Sequence, residues 1–185
     1  NVLSTDGKAN MALLKSRIAR LNKLLADLLE YSRAGQEECD ISNISMAQFV
    51  TDIADSLDPE GAFHIEYTGE FEAVVTYATP LRQILFNLIS NAIKHHDKSS
   101  GHIIVASKMI NNQVVISVSD DGPVIEERFR ERVFRPMTTL RPRDEIEGSG
   151  MGLANVAKIA AHYGGVARLR HSPFGRGTSA QVQIP

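Results

Sequence analysis

Asn87, Asn91 and Lys94 fall at i, i+4 and i+7, a spacing that lines two carboxamides and an ammonium along one face of a helix. Carboxamide oxygens suit Mg²⁺, a hard cation that keeps waters and substrate oxygens in its shell, and the lysine adds a partner for a phosphate. Asparagines on a helix face are more often simply solvated, so the triplet alone decides nothing. Two later segments add to it. Asp120, Gly122 and Pro123 directly follow a β-rich run, which puts a carboxylate at a strand end, where it can accept a hydrogen bond from an exocyclic amine. Gly122, without a Cβ, lets a flat base come close to the backbone. Gly148, Gly150 and Gly152 alternate immediately before a helical pattern, an arrangement that turns backbone N–H groups toward phosphate at a helix N-terminus. Taken singly, an Asp-Gly turn explains the first segment better, and a flexible loop explains the second equally well.

The elements that must hold these residues are legible from periodicity. Leu81, Ile84, Leu85, Leu88 and Ala92 form the apolar stripe of a helix running to about His96, with Thr79 as its expected N-cap and Pro80 in its first turn. Two β-rich runs follow, Ile103 to Lys108 and Val114 to Ser119, joined around Asn111 and Asn112, residues that tolerate the positive φ of a tight hairpin. A helix from about Gly152 to Tyr163 stops at Gly164 and Gly165, and strands near Val166 to Arg170 and Ser179 to Ile184 close the chain. Upstream, Phe49, Val50, Ile53, Ala54 and Leu57 space a helix over Met46 to Leu57, and Phe63 to Tyr67 and Ala73 to Tyr77 are short and strand-like. Helices and antiparallel strands in this order predict an α+β fold, a two-layer sandwich with helices on one face of a mixed sheet.

Ahead of it, residues 8–33 read as one long helix. Met11, Leu14, Ile18, Leu21, Leu25 and Leu28 recur in alternating steps of three and four, ending at Ser32 to Gly35. An amphipathic helix lying on its own domain would need less strict heptads; this pattern favours a bundle seam with a partner helix. Residues 36–43 are polar and read as a linker.

Composition bounds the function. At 185 residues and 43% hydrophobic, the chain is expected to form one globular domain with an extension. A net charge of -2 with interspersed signs makes nucleic acid a poor first partner. Cys39 is the single cysteine, which excludes an internal disulfide. No apolar run spans a bilayer, so a soluble chain without membrane contact is expected; beginning at Asn1, it reads as a fragment of a longer product that could carry a membrane part upstream.

Order and spacing together carry a resemblance. NLISNAIKHH is similar to the N box, VSDDGPVI to the first glycine box, ERVFRPM to the F box and EGSGMGLANVAKIAAHYGG to the second glycine box of the histidine kinase branch of the ATPase superfamily shared with gyrase, Hsp90-type chaperones and MutL-type mismatch-repair proteins. FGRGTSAQVQIP resembles its glycine-threonine segment, and RLNKLLADLLEYSRAG the end of the second dimerisation helix of sensor histidine kinases. The resemblance implies a Bergerat-type ATP-binding fold over 45–185, a partial dimerisation helix over 1–35 and a linker over 36–44. It implies ATP and Mg²⁺ as cofactors, a cytoplasmic location and a response-regulator receiver domain as partner. The full-length protein would form a homodimer through the dimerisation helices.

Residue by residue, Asn91 would be the main Mg²⁺ ligand with Asn87 assisting, and Lys94 would meet a phosphate. Asp120 would bind the adenine amine, Gly122 would lie beneath the ring and Thr178 would share the water network. Gly148, Gly150 and Gly152, with Leu153 beside them, would wrap the triphosphate, and Phe134 would anchor a lid running to about Ser149. The ATPases of this superfamily carry a glutamate where Asn87 stands; a carboxylate can act as general base toward water and an amide cannot, which points to phosphotransfer rather than hydrolysis. Two departures stand out. None of the six histidines lies in a helix preceding residue 8, so the acceptor helix is expected to lie outside this chain, while His95 and His96 read plainly as helix-end residues. Val124 replaces the second glycine of the first glycine box, so either the loop adopts another conformation or nucleotide binding is weakened. An anti-sigma-type serine kinase would lack the first helix, and a degenerate partner-sensing domain would rest on Val124.

Overall fold

The computed structural model describes residues 5–35, 41–110, 113–140 and 149–184. The N-terminal heptads form α1, Thr5–Arg33, and Gly35 at φ 79° takes the left-handed turn that ends it. Met11, Leu14, Ile18, Leu21, Leu25 and Leu28 are all exposed, between 43% and 57%, so the stripe faces away from the rest of the chain along most of its length. The exception is the last turn. There Lys158 Nζ donates to the carbonyls of Tyr31 (2.6 Å) and Ser32 (2.9 Å), placing a cation on the negative end of the helix. Gln83 Nε2 donates to Glu30 Oε1 at 3.0 Å.

The strand β1, Ile41–Ser45, overlaps the end of the stretch whose polarity suggests a linker. It pairs antiparallel with β3, Ala73–Tyr77, and that tertiary partner, invisible in the local pattern, makes ISNIS a strand. Between them come α2, Met46–Leu57, and β2, Phe63–Tyr67. The next helix, α3, spans Ala78–Lys94 with Tyr77 at its N-cap and no side-chain cap bond. Thr79 is therefore inside the first turn and not the cap. The chain passes from β3 straight into α3, so the entry is fixed by the sheet pairing. Next come β4 (Gly101–Ile110), β5 (Gln113–Asp120), α4 (Gly152–His162), β6 (Val166–His171) and β7 (Thr178–Ile184). Two short 3-10 turns at Glu127–Phe129 and Arg132–Phe134 have no periodicity that would mark them in sequence. The hairpin positions Asn111 and Asn112 lie outside the described residues.

The main sheet has the order β2-β4-β5-β7-β6, with β2 and β4 parallel and every other neighbouring pair antiparallel. Alternation selects one face of it: Ile103 and Val105 of β4, Ile116 and Val118 of β5 and Val182 of β7 join one buried cluster with Ile53 of α2, Leu85 and Ile89 of α3, and Val156 and Ile159 of α4. Val118 stands opposite Val105 and Ala180, and Val182 opposite Ile116 and Ala167. This is the two-layer α+β sandwich expected from the sequence.

Candidate functional site

The core stripe of α3 fixes the opposite choice for its polar residues. With Ile84, Leu85, Leu88 and Ile89 buried, Asn87 and Asn91 turn toward the start of α4. A Cβ placed on Gly152 would stand 3.2 Å from Asn87 Oδ1 and 3.3 and 3.4 Å from Asn91 Nδ2 and Oδ1. The structure thus brings the first two members of the helical triplet against the second glycine segment. Asn87 Nδ2 donates to the Gln83 carbonyl at 2.9 Å, which leaves its oxygen facing Gly152. Lys94 lies exposed at the end of α3, and Leu153 packs partly buried on the core cluster.

Asp120 ends β5. Its Oδ1 accepts the backbone N–H groups of Gly122 (2.9 Å) and Thr178 (3.3 Å), and its Oδ2 accepts nothing among the described residues. Burial pushes its carboxyl above the ordinary value of 3.8, against the two N–H bonds, which pull it down. A half-buried carboxylate with one oxygen committed and one free is the arrangement an exocyclic amine needs. Its main-chain oxygen is held by Ser172 Oγ at 2.6 Å, and Gly177, at φ 87°, approaches so closely that a Cβ there would lie 1.9 Å from the same oxygen. Neither Ser172 nor Gly177 stands out by residue type, although the alternating Gly175 and Gly177 mark a tight segment.

The Thr178 hydroxyl donates to the Pro123 carbonyl (3.3 Å) and accepts the Ile125 N–H (3.2 Å), pinning the loop after Asp120. Val124 sits in that loop, 51% exposed, and Met137 is the one residue other than glycine with positive φ among the described residues. The loop therefore takes a conformation that a β-branched residue accepts.

Gly150, at φ 73°, backs onto the chain leaving the F-box region: a Cβ on it would meet the Thr138 carbonyl at 2.5 Å. Phe134 is half-buried at the end of its 3-10 turn, beside buried Val133, and this turn packs on α4. Gly148 and the rest of residues 141–148, half of the expected lid, lie outside the described residues. A cavity of about 360 Å³ lies between α1 and the sandwich, lined among others by Glu30, Arg33, Thr79, Gln83 and Tyr163. No helix among the described residues is long and apolar enough to cross a membrane.

The family model described as "Histidine kinase-, DNA gyrase B-, and HSP90-like ATPase" matches residues 76–185. Phytochrome-like protein Cph1 of Synechocystis is 28% identical over 187 residues, covering 99% of this chain and 25% of its own length. Sensor histidine kinase GlrK of Escherichia coli is 30% identical over 159 residues, covering 82% of this chain and 33% of its own. The chain thus spans a quarter to a third of these two relatives. Among solved structures, full-length ShkA in complex with AMPPNP superposes with a TM-score of 0.75 at 23% identity, over all of this chain and 40% of that one. Histidine kinase ThkA in complex with the response regulator TrrA gives 0.68 at 21%, over all of this chain and 52% of that one. At such identities the structural likeness speaks for the fold, and the family match over more than half the chain speaks for descent: the chain belongs to the family of histidine kinase-, DNA gyrase B- and HSP90-like ATPases.

Proposed function

We propose that this chain binds Mg-ATP and delivers the γ-phosphate to a histidine imidazole on a dimerisation helix, from which the phosphate passes to a response-regulator aspartate in two-component signalling. One observation carries the reading: the Asn87 and Asn91 carboxamides meet the Gly152 end of α4, where free N–H groups and the helix dipole favour phosphate. Asn91, with Asn87 beside it, would hold Mg²⁺, which offsets phosphate charge during transfer. Lys94 adds a second cation, Asp120 accepts the adenine amine through Oδ2, and Gly122 holds Oδ1 of the same carboxylate through its N–H. Asn87 offers no carboxylate to activate water, which favours positioning for an external nucleophile over hydrolysis. ShkA's complex with AMPPNP and ThkA's with TrrA support the same ligand and partner here. Residues 1–35 would belong to a dimerisation region, the exposed α1 seam pairing two copies in a cytoplasmic homodimer. Val124, on which a degenerate reading rests, keeps an ordinary backbone.

The test is calorimetric titration with ATP, with and without Mg²⁺, followed by incubation with γ-labelled ATP and a separately supplied dimerisation helix bearing a histidine. Metal-dependent binding that is lost in Asn91→Ala, and acid-labile, base-stable label on the supplied helix, are expected. Binding in Asn91→Ala with unchanged metal dependence overturns the metal assignment, and absence of label on the helix overturns the transfer.

A further inference from the structure

His96 follows α3, and its side chain is fully enclosed although residues 97–100 around it are exposed. The Lys98 backbone N–H, which can only donate, lies 3.0 Å from Nδ1, closer than the Lys98 carbonyl at 3.3 Å, and this shorter contact favours the tautomer with the lone pair on Nδ1 and the proton on Nε2. That N–H donates to Asp121 Oδ1 at 3.1 Å, the oxygen that also accepts the His102 N–H at 2.7 Å. The ring stands edge-on to Phe63, centroids 5.3 Å apart. Two glycines make room for it: a Cβ on Gly101 would lie 2.6 Å from Nε2, and one on Gly122 would lie 3.0 Å from Cδ2 and 3.0 Å from Asp120 Oδ1. On the far side Asp97 lies 3.7 Å from Nδ1 and is itself paired with Arg176 at 2.7 Å. An apolar side chain would fill this space without desolvating two ring nitrogens. The imidazole is instead a polar wedge between the start of β4 and the turn running from Asp120 to Gly122.

The geometry points to His96 as a positioning residue for adenine selectivity: by tying down Asp121, it fixes the turn in which Asp120 spends Oδ1 on the loop and keeps Oδ2 for the base. This rests on the reading of Asp120 as the adenine acceptor. Asp121 is the transmitting group, bonded to the wedge on one side and to β4 through His102 on the other. A glutamine at position 96 can present an amide N–H in place of Nε2–H; a leucine cannot.

The experiment compares ATP with inosine triphosphate, which carries a carbonyl where ATP carries the amine, by calorimetry on the whole chain with folding checked by circular dichroism. The unsubstituted protein should favour ATP by about tenfold or more, the size expected when a buried acceptor loses its donor. His96→Gln should retain that preference, whereas His96→Leu should bring ATP down to the level of inosine triphosphate and leave the latter unchanged. Asp121→Ala breaks the same bond from the other side and should act like His96→Leu, which keeps the test open if one variant does not fold. Preference retained in both His96→Leu and Asp121→Ala, or equal losses for the two nucleotides, overturns the positioning role while leaving Asp120 as the acceptor. No preference in the unsubstituted protein overturns the adenine reading itself, and the role of His96 with it.

Discussion

Asp120→Asn isolates one oxygen. In the parent, Oδ1 accepts two backbone N–H groups, from Gly122 at 2.9 Å and Thr178 at 3.3 Å. Turning the asparagine amide nitrogen toward those donors would oppose donor to donor, so the amide oxygen stays where Oδ1 was. The NH₂ then takes the place of Oδ2 and faces the adenine amine. The loss is one hydrogen bond to a charged acceptor, about 1.5–3 kcal/mol, which at 1.4 kcal/mol per decade weakens ATP roughly ten- to hundredfold. Calorimetry at neutral pH with saturating Mg²⁺ measures it. The pH dependence gives a second reading with a definite sign. Burial raises the carboxyl of Asp120, so protonation, which removes the acceptor, sets in at a higher pH than for an ordinary aspartate; ATP affinity should fall more steeply on acidification in the parent than in Asp120→Asn. Fold stability moves oppositely at this residue: with a raised folded-state pKa, its contribution is present below the unfolded pKa and lost as pH rises through the folded one. Equal ATP affinity in parent and Asp120→Asn, or the same acid profile in both, would refute the assignment of Oδ2 to the base.

Asn155 of α4 is 2% exposed, and its Oδ1 has no partner among the described residues; Asn155→Leu should therefore raise stability by about 1 kcal/mol or more, roughly 2–4 °C in Tm, and a lowered melting temperature would contradict this. Gly177→Ala combines a left-handed φ with a Cβ 1.9 Å from the Asp120 carbonyl, so it should weaken ATP binding at least tenfold through the displaced carboxylate, as read by titration on a folded sample; unaltered affinity would show that this backbone contact does not set Asp120. Lys158→Met removes both bonds to the end of α1 while keeping much of the side-chain volume. Hydrogen exchange at Arg33 and Ala34 should accelerate by about tenfold, the equivalent of one such bond, and unchanged exchange would mean that the last turn of α1 is held by its other contacts, the Gln83–Glu30 bond and the burial of Ala34.

The residues that periodicity governs were legible. The limits of α2, β2 and β3 follow from apolar spacing, and Asp120 lies at the end of its strand because Val114, Ile116 and Val118 set the alternation that ends there. Where tertiary pairing decides, local pattern does not suffice: β1 exists because β3 supplies its ladder, and α3 begins at Ala78 without using Thr79 as a cap. The site divides along the same line. Asn87, Asn91 and Gly152 could each be named from spacing, and their convergence is a property of the α3 and α4 packing. His96 reads from sequence as a helix-end residue; only the enclosure of its ring and the bond to Asp121, 25 positions away, give it a task. Val124 carries a signal in the opposite direction, a residue unsuited to left-handed backbone, and the loop resolves it by avoiding that backbone.

The junction of α1 with α4 has a mechanical consequence. Lys158 holds α1 by main-chain carbonyls, which lie near the helix axis at a radius of about 2 Å, whereas Glu30 reaches Gln83 with a side chain at about 5–6 Å. A roll of roughly 30° about the axis of α1 would carry the carbonyls about 1 Å and the Glu30 tip about 3 Å. The lysine has the geometry of a swivel and the Glu30 contact that of a ratchet tooth: twisting the helix would disengage the tooth first and leave the sandwich joined to α1 through the lysine and buried Ala34. Sliding the helix lengthwise by one residue, about 1.5 Å, strains both at once.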